Sequence, residues 1–294
     1  MKKINNILKK NNIIPLKYEK RGKVIIVFTK DKKYVIKETK KEIFEYLLNR
    51  HFDNYPKTII EDNYAISLYI EDNNILKEQK ILDLINLVSL LHLKTTCYEK
   101  ININDIKEIY EDKMNEINDL TIYYNNLMDI IETKIFMSPK EYTLARNISL
   151  FLNNLSFAKN KLDEWYRKFK NKSNYRIVLL HNNLKLDHLI NNMLISFEKA
   201  KFGLPIFDIY NLYKNTYDDF DFIEIYKLYI KNYPLNEDEV DLLLILLIIP
   251  QKITFQNIEY LDTILVYEEV NYLDNSLKLV DSIKKLYLPK DKKQ

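Results

Sequence analysis

The sequence predicts an α+β chain in two parts: a small antiparallel sheet with one helix to about residue 71, then a large helical portion from 72 to 294. Three observations predict it. Short β-branched and aromatic runs crowd the start of the chain. Apolar residues at steps of three and four dominate everything after it. Between these lies a strand, strand, strand, helix, strand, strand order bounded by turn residues.

Residues 23–28 and 33–37 read as strands joined at Lys30-Asp31-Lys32, and Arg21-Gly22 turns an earlier strand into the first of them. Residues 38–50 form a helix with Ile43, Phe44, Leu47 and Leu48 on one side. Residues 58–60 and 64–70 supply two more strands, and 71–74 a hinge. A helix follows over 78–93, then two long helices over about 105–133 and 138–171, each with a wide apolar stripe. Ser138-Pro139-Lys140-Glu141 is a capping box with proline in the first turn. A short link between two such helices predicts an antiparallel hairpin over about 105–171. Residues 175–180 are a buried strand with 193–197 as its hairpin partner. Helices over 207–213, 223–232, 236–249 and 258–286 complete the chain.

The residues that bear on chemistry lie downstream. His181-Asn182-Asn183-Leu184-Lys185-Leu186-Asp187-His188-Leu189-Ile190 is followed by Leu194-Ile195-Ser196-Phe197-Glu198 and then by Pro205-Ile206-Phe207-Asp208-Ile209. This run resembles the catalytic loop and metal-binding turn of aminoglycoside phosphotransferases, choline-kinase-like enzymes and their spore-coat-associated relatives. Their pattern is His-Gly-Asp-Leu-His-x-x-Asn-(Ile/Leu), then Ile-Asp-(Trp/Phe)-(Glu/Asp), then Pro-x-x-Asp-(Leu/Ile). The resemblance implies a two-lobed, protein-kinase-like phosphotransferase fold. By the same resemblance Lys37 is the strand lysine that holds nucleotide phosphates, with Glu42 as its ion-pair partner and Glu45 the next choice. His181 is implied to hold the loop through its ring, and Asp208 to brace it from below. His92 is implied to be packed.

Three positions depart from the pattern. Asn183 stands where the catalytic aspartate belongs, His188 where the metal-binding asparagine belongs and Ser196 where the second metal-binding aspartate belongs. Phosphoryl transfer depends on positioning and on divalent metal held by oxygen ligands against the phosphates. An amide at 183 accepts no proton at neutral pH. Ser196 offers a neutral oxygen where magnesium wants an anionic one, and His188 offers nitrogen. The expected function is thus a degenerate kinase-like protein, a pseudokinase acting by binding or as a scaffold. ATP and magnesium, the cofactors of the resembled family, are in doubt here. The alternative is an active small-molecule kinase with a metal site rebuilt from Asp187 and Glu198. A zinc site from His181, His188 and Asp187 matches no established spacing.

Composition narrows the field. Forty-five basic and 42 acidic residues leave a net charge of +3, without the basic excess of a nucleic-acid binder. The chain has two glycines, Gly22 and Gly203, so no Walker loop, dinucleotide fingerprint or kinase glycine loop can be drawn. Cys97 is the one cysteine, which excludes an intrachain disulfide. Residues 242–249 are far short of the ~20 needed to cross a bilayer. A cytoplasmic protein is expected, with a protein partner or small molecule as ligand. Its low-glycine, Lys-, Asn- and Ile-rich composition suits an AT-rich spore-former or a mollicute and adds to the resemblance to spore-coat-associated relatives, which implies a spore-coat reading.

Overall fold

The computed structural model describes residues 2–73, 75–100, 103–170, 172 and 174–287. Asn74 of the expected hinge, Asn171 at the expected end of the second long helix and the lysine-rich tail from 290 lie outside those residues. The chain separates into two compact units. One comprises Met1–Cys97, Ile177–Leu212 and Lys227–Pro234; the other Tyr98–Arg176, Tyr213–Tyr226 and Leu235–Gln294.

The first unit begins with a helix that the sequence reading missed, α1 (Lys2–Lys10). A five-stranded antiparallel sheet follows: β1 (Lys17–Arg21), β2 (Val24–Phe28), β3 (Lys33–Glu38), β4 (Thr58–Glu61) and β5 (Tyr64–Leu68), in the order β1-β2-β3-β5-β4. Helix α2 (Lys41–Asn49) sits in the connection from β3 to β4. Strand alternation gives the sheet two apolar faces. Ile25, Ile36 and Ile66 stand in one cross-strand row and pack with Ile4, Ile7, Leu8 and Ile13. Ile26, Val35 and Ser67 form a row on the opposite face, with Lys37 opposite Ala65. A nine-residue helix is marginal alone. Burying Ile4, Ile7 and Leu8, at ~1.5–3 kcal/mol for each side chain, is what holds α1 in place.

Helix α3 (Lys77–Thr95) leads to β6 (Cys97–Lys100), where the second unit begins. That unit carries α4 (Ile103–Glu132) and α5 (Pro139–Phe169) as an antiparallel pair. Tyr110 stacks on Tyr166 at 4.3 Å near one end, and Tyr124 packs on Phe151 further along. The Tyr110 hydroxyl donates to Asp163 at 2.6 Å, which pushes its pKa up to about 12. At the start of α5, Glu141 accepts the Ser138 N–H at 2.9 Å, as the capping pattern requires.

Strand β7 (Asn174–Leu180) runs into the His181 loop. It is the middle strand of a sheet ordered β10-β7-β6, antiparallel to β10 (Lys201–Gly203), whereas β9 (Met193–Leu194) pairs with β8 (Leu189–Ile190). This corrects the expected 193–197 pairing. Asn191 and Asn192 both have positive φ, so the chain reverses in two residues and Met193 returns on Ile190. The remaining helices are α6 (Ile206–Thr216), α7 (Phe222–Asn232), α8 (Glu237–Leu247) and α9 (Glu259–Tyr287). No helix among the described residues is long and apolar enough to cross a membrane.

Within the second unit, α9 buries Glu269, whose Oε1 accepts the Gln251 N–H at 2.7 Å. Burial pushes this carboxyl up to about 7, against the opposing pull of that hydrogen bond and of Lys214. A raised carboxyl favours the folded state below the unfolded value and loses that advantage as pH rises through the folded one. Stability should therefore fall between about pH 4.5 and 7, by at most about 1.4 kcal/mol per pH unit from this group. Glu269→Gln should flatten that part of the profile. Parallel urea titrations across this range check it, and identical slopes in both proteins would refute it.

Candidate functional site

The site lies wholly in the first unit, where the face of the sheet opposite α1 closes over residues 190–198. Val24, Ile26, Val35, Ala65, Leu68 and Ile70 supply one wall and Leu194 and Ile195 the other, enclosing a cleft of about 280 Å³. At one end, Phe44, Tyr55 and Phe197 meet edge to face at 5.5–6.4 Å. The walls are therefore largely apolar.

Lys37 points into the cleft because β3 alternates: Ile36 is turned to the core under α1, so Lys37 faces the other way. Its ammonium donates to Ser196 Oγ at 2.7 Å and pairs with Glu198 Oε1 at 3.1 Å. Glu198 is thus the carboxylate facing Lys37. Glu42, chosen for that role from sequence, is exposed in the first turn of α2, and Glu45 pairs with Lys41 at 3.0 Å. Helical phase accounts for the difference. Ile43 and Leu47 take the inward positions of α2 and leave its acids outside.

The 181–198 segment is held by backbone-directed bonds. Asp208, fully buried, accepts the His181 and Asn182 N–H groups, both at 2.7 Å, one on each carboxylate oxygen. Its Oδ2 also lies 3.2 Å from His92 Nε2, and His92 Nδ1 lies 2.7 Å from the Tyr229 hydroxyl. His181 Nε2 sits 2.7 Å from the Ile195 carbonyl, and His188 Nδ1 sits 2.6 Å from that of Asn183. A carbonyl only accepts, so both ring nitrogens carry hydrogens in these bonds. Burial lowers the pKa of both imidazoles and favours their neutral forms. Ser196 has φ 72° and ψ 50°, left-handed values that aim its hydroxyl at Lys37 rather than along the strand.

The expected site residues therefore separate into two groups. Lys37, Ser196 and Glu198 converge on one point. His181, His188 and Asp208 fix the loop around it. Asn183 is half-buried in that loop, and Asp187 is exposed on the turn at Leu186–His188. Glu198 is the sole carboxylate among the described cleft-lining residues, and no group of three or more His, Cys, Asp or Glu among the described residues could hold a metal ion. The donors fit magnesium poorly: among the described lining residues the single carboxylate, Glu198, and the Ser196 hydroxyl both face the Lys37 ammonium, and His188 would bring nitrogen. Sequence reasoning missed Arg21, which lines the cleft from the end of β1; period-two alternation through 21, 24, 26, 35, 37, 65 and 67 carried much of that signal.

No family model matches the chain, and no curated protein matches it. Solved structures do. The chain is similar to an aminoglycoside phosphotransferase from Alicyclobacillus acidocaldarius at 10% identity and a TM-score of 0.59, covering 92% of this chain and 90% of that one. It is also similar to the spectinomycin phosphotransferase APH(9)-Ia in its AMP-bound complex, at 13% identity and a TM-score of 0.53, covering 98% and 95%. The same protein in complex with ADP and spectinomycin aligns at 11% identity and a TM-score of 0.50, covering 98% and 94%. The chain accordingly has the kinase-like phosphotransferase fold, a small antiparallel sheet lobe joined to a large helical lobe.

Proposed function

We propose that this chain is a catalytically silent relative of the aminoglycoside and choline phosphotransferases, which binds an adenine nucleotide in the cleft and acts through that binding as a scaffold or regulator. One observation carries the reading: among the described residues lining the cleft the only carboxylate, Glu198, is held by Lys37. Phosphoryl transfer needs anionic oxygens free for metal and a carboxylate beside the acceptor hydroxyl. Asn183 is neutral and Asp187 points to solvent, so neither is supplied. The apolar walls and the ammonium remain, and these suit a base and a phosphate. A spore-coat role and a protein partner are part of the same proposal, supported by the motif resemblance and the composition.

The test is thermal melting with AMP, ADP and ATP, with and without Mg²⁺ or Mn²⁺, beside an assay of ATP turnover. Nucleotide should raise the melting temperature without metal, Lys37→Met should abolish the rise, and turnover should be nil. Metal-dependent stabilisation with measurable hydrolysis or transfer would overturn the proposal in favour of an active kinase that uses Glu198 and Asp187. An unchanged melting temperature under every condition would remove the nucleotide from it.

A further inference from the structure

The cleft's charge pattern narrows the ligand, on the reading that it binds nucleotides. Among the described residues two cations line it, and each is already matched. Arg21 Nε lies 2.6 Å from Glu19 Oε1, and Lys37 Nζ lies 3.1 Å from Glu198 Oε1. The four side chains sum to zero. The β1–β2 connection above them is also short. Arg21 pairs with Val24, so Gly22 and Lys23 alone make the turn, with Gly22 at φ +58°. A two-residue turn cannot lay a run of backbone N–H groups along a polyphosphate. Lys23 is exposed and does not line the cleft.

Consider a nucleotide whose base sits between Val24, Ile26, Val35 and Leu194. Its first phosphate can take Lys37 and the Ser196 hydroxyl, which lie 2.7 Å from each other. A second and third phosphate would advance on the Glu198 carboxylate, with no metal to screen the repulsion and no further cation among the lining residues except Arg21, itself held by Glu19. The volume of about 280 Å³ is at the small end for ligand sites, which run from roughly 300 to 1,000 Å³. We infer that the cleft selects an adenine nucleoside monophosphate over the di- and triphosphates, with Glu198 as the residue that excludes the longer chains.

Calorimetry on the full chain with adenosine, AMP, ADP and ATP, each without metal and then with Mg²⁺, tests this. AMP should bind at least about tenfold more tightly than ATP in both series, a difference of about 1.4 kcal/mol. Glu198→Gln should strengthen ATP binding and narrow the ratio to near one, because the neutral amide no longer repels the outer phosphates. Lys37→Met should leave AMP no better than adenosine. ATP binding as tightly as AMP, or a ratio unmoved by Glu198→Gln, overturns the inference and leaves nucleotide binding without turnover intact. Failure of all four compounds to bind overturns the nucleotide reading itself.

Discussion

Glu239→Ala is expected to destabilise the second unit by roughly 3–5 kcal/mol, as breaking a buried pair by removing one partner does. Glu239 is 3% exposed and Arg176 10% at their side chains. The guanidinium meets the carboxylate on two edges, Nε to Oε1 at 2.7 Å and Nη2 to Oε2 at 2.5 Å. Glu239 also accepts the Asn236 N–H at 2.8 Å and so caps the start of α8. One substitution therefore leaves a guanidinium desolvated without its carboxylate and unties a helix start, the latter costing about 1 kcal/mol alone. The double substitution Arg176→Met with Glu239→Leu should recover most of the loss, because two apolar groups need no compensation in that setting. Urea unfolding of the three variants decides it. A single-variant loss below about 1 kcal/mol, the range of exposed pairs, would show that the pair is hydrated in solution.

Asp208→Ala should cost about 3–4 kcal/mol and loosen the candidate site as well. The buried carboxylate is the acceptor for the His181 and Asn182 amides and a partner of His92. Each amide left buried without an acceptor costs ~1–3 kcal/mol. The loss is local before it is global. Amide exchange at 181 and 182 should accelerate by orders of magnitude while α1 and the sheet beneath it keep their protection, and AMP binding should weaken with it. Asp208→Asn should fall in between, since it retains one oxygen but turns an NH₂ toward existing donors. Uniform exchange changes across the first unit would show that Asp208 supports packing rather than the loop.

Much of this architecture was legible in the residues, because period and turn chemistry act locally. The five strands of the first sheet, the helix after β3 and the capping sequence at 138 follow from alternation and from an acceptor three residues past the cap. Helix α1 carried its signal too. Ile4, Ile7 and Leu8 have helical spacing, but nine lysine-rich residues look too short until the sheet that buries them is known. The Lys37–Glu198 pair was not legible, since its two ends are 161 positions apart and the resemblance pointed to α2. The pairing of β7 with β10 was hidden by the small hairpin at 189–194, whose turn has no glycine. The bonds of His181 and Asp208 go to the main chain, which any side chain in the loop still presents.

The handedness of those turns has a wider consequence. Asp62 and Asn63, like Asn191 and Asn192, hold both corner positions of a hairpin at positive φ, and Asn12, Asn182 and Asn257 do the same singly. Short amide and carboxylate side chains visit this region at lower cost than other residues with a Cβ. A chain with only two glycines can thus keep its reversals, with asparagine as the punctuation. In such sequences a doubled Asn between apolar runs marks a bend that glycine-based signatures overlook.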